Sequence, residues 1–182
     1  MVIPYSGFFP YKEVALAYNL PIWLTKLANF DGVQYLIIAR EGYYTYNQAY
    51  FPLFPLTIRY LNLLLGGNIL LTGILIVNSV FLGVLYFFTK LTKVYFDKAS
   101  TTWVLTFFIF FPTSFFFNAV YTESIFLFFF LGAIYFFYKR QYFYAGLFGL
   151  FCALTRFAGL FLLIPFGSAL IFEWYFKSKQ RQ

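Results

Sequence analysis

The residues that could carry acid–base chemistry in this sequence are carboxylates, tyrosines and lysines, because histidine is absent. Histidine is the commonest general base and the commonest zinc ligand, so sites built on it are excluded. Cys152 is the single cysteine, which excludes an intrachain disulfide and a thiolate metal cluster. Asp31, in the stretch "NFDGVQY", is the first candidate, since a carboxylate beside a long apolar stretch is costly unless something uses it.

The composition places these candidates in a membrane protein. Of the 182 residues, 62% are hydrophobic and 10% are charged, whereas soluble domains carry about 25% charged residues. Apolar runs long enough to cross a bilayer recur along the chain. The net charge of +7 does not indicate nucleic-acid binding, because the basic residues cluster at the ends of apolar spans. We therefore expect an all-α polytopic membrane protein.

About five transmembrane helices are predicted within this single domain. The predicted spans are 69–89, 102–120 with a kink at Pro112, 121–138, and the two arms of a hairpin, 142–155 and 157–172. The prolines and glycines around residues 51–66 predict a short interfacial or re-entrant helix. The predicted organisation is a long extracytoplasmic first loop with interfacial helices (1–66), a helical bundle (67–172) and a basic cytoplasmic tail (173–182).

The position of Arg156 within the apolar stretch 142–172 predicts a helical hairpin rather than one straight helix. A single straight helix over 142–172 would bury this guanidinium near mid-membrane, at a cost of about 2.5–3.5 kcal/mol or more. A turn at Arg156 avoids that cost and puts eight basic residues on one side, as expected of a cytoplasmic face. The same turn brings Arg156 to the outer side, where we also expect Asp31, Glu41 and Glu123. Acidic and basic groups are thus predicted to meet at the outer mouth of one bundle.

Four stretches then resemble one family in their order and spacing: "NFDGVQYLIIAREGY", "YFPLFPL", "FFPTSFFFNAVYTES" and "LTRFAGLFLLIP". The family is that of the PIG-V type mannosyltransferases, of the GT-C class of multi-pass glycosyltransferases. The resemblance covers about residues 20–172. It implies inverting transfer of mannose from a polyprenyl or dolichyl phosphate carrier to a lipid-linked or glycolipid acceptor.

The resemblance implies a role for Asp31, and the chemistry of such a transfer suggests roles for other residues. Asp31 matches the family's aspartate in the first extracytoplasmic loop and is expected to act as general base toward the acceptor hydroxyl. Arg156 is expected to bind the carrier phosphate in a bidentate manner. Glu123 would hold a sugar hydroxyl, position Arg156 or help to bind a metal ion. Tyr35 and Arg59 complete the predicted substrate-binding set.

The chain departs from the family in two respects. A helix before the Asp31 loop and several helices after "TRFAG" are missing, so we expect a truncated product or half of a split enzyme, with a second chain supplying those helices. Gly32 follows Asp31 where many GT-C enzymes carry a second acid, which leaves a divalent cation an open question. The predicted location is a bacterial plasma membrane, or the endoplasmic reticulum if the source is eukaryotic.

Other interpretations remain open at this level. Asp31 could be a loop acid in an Asx turn with Gly32, Glu123 a solvated acid at a helix N-terminus, and Arg156 a snorkelling residue that pairs with lipid phosphate. Two further function classes also fit the composition. One is a transporter fragment with Glu123 and Arg156 as its intramembrane site, although no repeat is found. The other is a non-catalytic subunit that stabilises a partner enzyme.

Overall fold

The computed structural model describes residues 17–179, apart from the side chain of Ser178, and this part of the chain is helical without strands. The predicted all-α class is therefore confirmed for the described residues. Residues 1–16 of the predicted first loop and 180–182 of the predicted tail lie outside them. The α-helices are α1 Ile22–Thr25, α2 Asp31–Glu41, α3 Leu53–Leu64, α4 Ile69–Tyr95, α5 Lys98–Phe110, α6 Glu123–Tyr138, α7 Tyr142–Thr155 and α8 Leu163–Lys179. Three 3₁₀ turns join them, Lys26–Ala28, Ser114–Phe117 and Phe157–Leu162.

The longest helix, α4, is the axis of the bundle. Gly66 and Gly67 adopt positive φ angles and end α3, and the side chain of Asn68 then caps α4 by accepting the N–H of Leu71 at 3.1 Å. With 27 residues, α4 is about 40 Å long at 1.5 Å per residue. The helix therefore continues beyond residue 89, where its predicted span ended, through Lys90 and Lys93.

Two helical segments in the described part of the chain are long and apolar enough to cross a membrane, α4 and the stretch Phe157–Lys177. The other apolar helices of the bundle are shorter. At 1.5 Å per residue, α6 spans roughly 24 Å and α7 roughly 21 Å, against about 30 Å of hydrocarbon in a bilayer. The structure thus supports two spans by length and does not establish the predicted count of five.

The predicted span over 102–120 is wrong. Helix α5 ends at Phe110, and Phe111 has an extended backbone (φ −63°, ψ 138°) before Pro112. A residue that precedes proline is pushed out of the helical region by the proline ring, so Pro112 ends the helix rather than bending it. Residues 111–122 instead form a connection with one short 3₁₀ turn, and this connection carries the polar segment ahead of α6.

The predicted hairpin at Arg156 is confirmed. Arg156 is extended (φ −153°, ψ 146°), and the turn after it packs back on α7. Helix α8 then returns beside the start of α7, where the Tyr142 hydroxyl donates a hydrogen bond to Glu173 at 3.1 Å. Arg140 and Lys177 also bind Glu173, each at 2.6 Å. The helix continues to Lys179, so the first part of the predicted tail is helical.

The segment before α4 packs into the bundle. Helices α2 and α3 lie against the N-terminal part of α4 and share its main core, in which Leu36, Phe54, Ile58, Leu70 and Val77 are fully buried. Burying an aliphatic or aromatic side chain of this size stabilises the folded state by about 1.5–3 kcal/mol. The described part of the predicted first loop is therefore a packed layer at one end of the bundle.

Gly159 should be the most sensitive glycine of the hairpin. A Cβ there would lie 2.4 Å from backbone atoms of Cys152 and Ala153, whereas a Cβ on Gly146 would meet no atom within 4 Å. Thermal unfolding in detergent should show that Gly159→Ala destabilises the protein by about 1–3 kcal/mol, as overpacking does. Gly146→Ala is the matched control and should unfold at the parent temperature or above, because alanine favours the helix. Equal stability of the two variants would contradict the close packing of the turn on α7.

Candidate functional site

Asp31 lies at the first position of α2, at the end of the bundle where the hairpin turns. The chain reaches it through Phe30, whose φ of 49° is in the left-handed region that non-glycine residues avoid. Strained backbone of this kind often marks functional sites, because packing must hold it in place. The Tyr50 hydroxyl donates a hydrogen bond to Oδ1 of Asp31 at 3.0 Å, and the Asp31 side chain is otherwise exposed.

Gly32 explains why the residue after Asp31 is small. The connection before α6 runs across the first turn of α2, and a Cβ on Gly32 would lie 3.0 Å from the carbonyl oxygen of Val120. Two hydrogen bonds hold this crossing, from the Val120 N–H to the Leu27 carbonyl at 2.7 Å and from the Tyr121 hydroxyl to the Asn29 carbonyl at 2.9 Å. The close approach brings the residues after Val120 beside Asp31.

Those residues bind Arg156. Its Nε donates a hydrogen bond to Thr122 Oγ1 at 2.7 Å, and one terminal nitrogen forms an ion pair with Glu123 Oε1 at 2.5 Å. Arginine has five N–H groups, and these contacts use two of them. The Arg156 side chain is 41% exposed. The guanidinium is thus fixed on one side and open to a ligand on the other.

Tyr35 connects the two halves of the cluster. This residue is buried one turn after Asp31, its hydroxyl is hydrogen-bonded with Thr122, and its ring packs edge-on against Tyr50 at 5.1 Å between centroids. Burial raises the pKa of Tyr35 above its usual value, and this outweighs the lowering effects of the Thr122 hydrogen bond and of Arg156. Tyr35 is therefore a neutral hydroxyl between the carboxylate and the guanidinium.

Glu123 has one oxygen without a partner. Oε1 binds Arg156, while Oε2 is buried and has no hydrogen-bond donor among the described residues. A buried acceptor without a donor costs about 1–3 kcal/mol, and more when it is charged. This oxygen is closed to solvent, so a ligand hydroxyl reaches it only when the carboxylate rotates. The described part of the chain brings together no group of three metal-binding residues of the types His, Cys, Asp and Glu.

The pKa of Tyr121 is affected by both carboxylates of the cluster. Desolvation raises its pKa, and the negative charges of Asp31 and Glu123 raise it further. Both carboxylates therefore act on one phenol, although 92 residues separate them in sequence. The two carboxylates thus lie near the same phenol, and the side of the membrane that they face stays a prediction.

Four of the five predicted site residues lie in this cluster, namely Asp31, Tyr35, Glu123 and Arg156. Arg59 lies elsewhere. It donates hydrogen bonds to the carbonyls of Ala39 at 2.7 Å and Arg40 at 3.2 Å, at the opposite end of α2 from Asp31. These contacts satisfy carbonyls of the last turn of the helix. The proposed contact of Arg59 with substrate stays a prediction, and its observed partners are those of a helix cap.

Sequence reasoning missed Thr122 and Tyr50. Thr122 is fully buried and touches both Arg156 and Tyr35. Its place immediately before Glu123, in "NAVYTES", was a usable signal. Tyr50 had no such signal, because four tyrosines crowd residues 43–50 and nothing local distinguishes the one that reaches Asp31.

Thr122→Val should show how much the hydrogen bond between Arg156 and the Thr122 hydroxyl contributes to the free energy of unfolding, because the side-chain volume is kept. Valine fills the same volume but removes the acceptor of the Arg156 Nε–H, so we expect a loss of about 1–3 kcal/mol in unfolding free energy. Thr122→Ser keeps the hydroxyl and is the matched control. Chemical denaturation in mild detergent measures both variants. If the valine variant is as stable as the serine variant, the hydrogen bond does not hold the cluster.

Comparison with known proteins identifies one family. The family model described as Mannosyltransferase (PIG-V) matches residues 10–177. No curated protein and no solved structure matches the chain. The matched range includes every residue of the cluster and nearly the whole described fold, and the resemblance noted in the sequence is confirmed. This chain belongs to the PIG-V mannosyltransferase family.

Proposed function

We propose that this chain is a membrane mannosyltransferase of the GT-C class, which transfers mannose from a polyprenyl or dolichyl phosphate carrier to a lipid-linked acceptor with inversion. The family match supports glycosyl transfer. One observation carries the mechanism. A carboxylate and an arginine, Asp31 and Arg156, lie at the same end of the bundle. Tyr50 binds Asp31 and packs on Tyr35, and Thr122 contacts both Tyr35 and Arg156.

Arg156 takes the donor phosphate in this proposal. As the bond from the anomeric carbon to the phosphate oxygen breaks, negative charge grows on the polyprenyl phosphate that leaves. A positioned guanidinium stabilises that charge without a proton transfer, so no strong general acid is needed. Thr122 and Glu123 bind two of the N–H groups of Arg156, and the remaining N–H groups are left for the phosphate.

Asp31 takes the proton of the acceptor. The acceptor hydroxyl oxygen forms the new bond to the anomeric carbon, on the face opposite the phosphate, and its proton passes to the carboxylate. Tyr50 holds Oδ1, which leaves Oδ2 for the hydroxyl. A rotation of the Glu123 carboxylate exposes the unpartnered Oε2, which then accepts a hydroxyl of the sugar and orients the ring. Both carboxylates thereby have a defined and different task.

The basic residues support an orientation in which this cluster faces away from the cytoplasm. Lys90, Lys139 and Lys179 lie at the other end of the helices that carry or face the cluster. Basic residues mark cytoplasmic segments in membrane proteins. A bacterial plasma membrane is the proposed location, or the endoplasmic reticulum membrane in a eukaryote. The family match favours this function over the transporter alternative.

Asp31→Asn should reduce mannose transfer by a factor of about 10²–10⁴, the usual contribution of a general base. The assay is transfer of radiolabelled mannose from polyprenyl phosphomannose in membranes that contain the chain, together with any partner chain that it requires. Glu41→Gln is the matched control, because Glu41 is exposed on the same helix and pairs with Arg40. Transfer by the asparagine variant at the parent rate would show that Asp31 is not the base.

Arg156→Lys keeps the positive charge but removes the planar fork that matches a phosphate. We expect the apparent KM for the polyprenyl phosphate donor to rise about tenfold or more, which is the effect of losing one charge-assisted hydrogen bond. The apparent KM for the acceptor should change little. Arg40→Lys, at an exposed position at the far end of α2, is the control. A folded Arg156→Lys variant with the parent donor KM would remove Arg156 from the phosphate site.

A further inference from the structure

Three helices carry a tyrosine four residues before a lysine, and in each pair the ammonium lies over the tyrosine ring. This spacing places both side chains on one helix face. A cation within about 6 Å of an aromatic centroid is attracted by the ring. The pairs are Tyr86–Lys90 on α4 at 5.5 Å, Tyr135–Lys139 on α6 at 6.0 Å and Tyr175–Lys179 on α8 at 5.2 Å. We call them the Tyr–Lys pairs.

The Tyr–Lys pairs lie at one end of the bundle, because the three helices run in the same direction. Along α4 and α6 the contacts advance together, with Gly83 against Phe128 and Phe87 against Tyr135. Along α6 and α8 the Phe137 and Phe166 rings stack at 4.2 Å. The three pairs therefore all lie toward the end opposite the Asp31–Arg156 cluster, but not at one level. Tyr175 follows Phe166 by nine residues, about 13 Å along α8 at 1.5 Å per residue, so the α8 pair lies farther out than the other two.

The surface beside two of these pairs is apolar. Leu82 lies one helical turn before Tyr86 and is 69% exposed, and Ile171 lies one turn before Tyr175 and is 68% exposed. From the middle of the bundle toward its basic end, α4 and α8 thus present an aliphatic side chain, then a phenol ring, then an ammonium. On α6 the same spacing begins at Leu131, which is buried in the core.

Positive charge is in excess at this end. The carboxylates of the described residues there are already engaged, since Asp97 caps α5 by accepting the Ser100 N–H and Glu173 binds Arg140 and Lys177. The basic side chains at this end are Lys90, Lys93, Lys98, Lys139, Arg140, Lys177 and Lys179. This end therefore attracts anionic molecules.

We propose that the Tyr–Lys pairs of α4 and α8 bind anionic phospholipids, with the phosphate on the lysine, the interfacial region on the tyrosine and the acyl chain on the aliphatic residue. The order of groups on the helix surface matches their order along a lipid. A nucleic acid or an acidic peptide offers charge without the adjoining hydrocarbon. Interfacial tyrosines and lysines near an anionic leaflet are each favourable. This inference uses the proposed membrane placement, and it is independent of the sugar chemistry.

The test uses the full chain in phosphatidylcholine nanodiscs that contain a trace of spin-labelled lipid. Electron spin resonance measures the motionally restricted fraction of spin-labelled phosphatidylglycerol and of spin-labelled phosphatidylcholine, and their ratio reports anionic preference. The double variant Lys90→Gln, Lys179→Gln should lower that ratio about threefold or more, since each lysine near an anionic surface contributes roughly a fivefold preference. An unchanged ratio would overturn the proposal.

Two controls separate the pairs from net charge. The double variant Lys93→Gln, Lys98→Gln removes the same charge at the same end but outside the pairs, and it should lower the ratio less than half as much. Tyr86→Leu with Tyr175→Leu keeps every charge and should still lower the ratio, whereas Tyr60→Leu on α3 should not. Equal effects of the two lysine double variants would show that charge alone attracts the lipid and would overturn the role of the rings.

Three other outcomes would contradict the lipid assignment, the anionic preference or the membrane placement. Polyglutamate that binds the chain in neutral detergent, and loses that binding in the Lys90→Gln, Lys179→Gln variant, would point to an acidic protein partner and overturn the lipid assignment. Chain that inserts normally but shows no anionic preference would overturn this inference alone. Chain that fails to enter nanodiscs would overturn the membrane placement, and the lipid site with it. Mannose transfer reports on the Asp31–Arg156 cluster separately.

Discussion

The ion pair between Arg156 and Glu123 is the interaction on which the arrangement of this protein depends. A guanidinium among apolar helices must be paired, because taking it from water without a partner costs several kcal/mol. The pairing joins the turn of the α7–α8 hairpin to the start of α6, and Thr122 adds a second hydrogen bond at 2.7 Å. The start of α6 is itself held across Gly32 by the hydrogen bonds of Val120 and Tyr121. Three distant segments are thereby drawn to one end of the bundle.

That end and the opposite end of the bundle are built in different ways. The cluster end contains buried hydroxyls and a small number of charges that touch each other, so a substrate meets groups whose positions are already set. At the basic end the lysines are exposed and lie over tyrosine rings, which suits contact with a surface rather than with a single molecule. Between the two ends, α4, α6 and α7 pack through phenylalanine rings such as Phe87, Phe128 and Phe148. The aromatic excess of the sequence therefore finds a structural use in helix packing.

The proposed chemistry follows from this division. An inverting transfer needs a base and a phosphate site on opposite faces of one sugar. The carboxylate that acts as base and the guanidinium that binds the phosphate must therefore be close without forming an ion pair with each other. Arg156 is paired with Glu123 rather than with Asp31. The neutral Tyr35 lies near both Arg156 and Asp31. Asp31 is instead oriented by Tyr50. The carboxylate nearer to the guanidinium acts as its holder, and the other remains free to receive a proton. Two carboxylates in distinct surroundings can in this way take distinct roles.

The sequence alone determined the helical class, the family, the hairpin at Arg156 and four members of the cluster. These follow from local rules, since long apolar runs, a charge inside one of them and four ordered motifs are visible without coordinates. It did not determine where α5 ends, because the restriction imposed by Pro112 competes with an apolar run that extends past it. Nor could it separate Arg59 from Arg156, as both are arginines in apolar surroundings. Only the packing shows that one caps α2 and the other meets Glu123.

Thr122 and Tyr50 were decided by tertiary structure for the same reason. Their roles arise from partners 34 and 19 residues away, and one sequence contains no record of such separations. A hydroxyl acquires its role from the group that the fold places opposite it. The chemistry of the side chains was thus legible in the sequence, whereas their pairing was decided by how the helices pack.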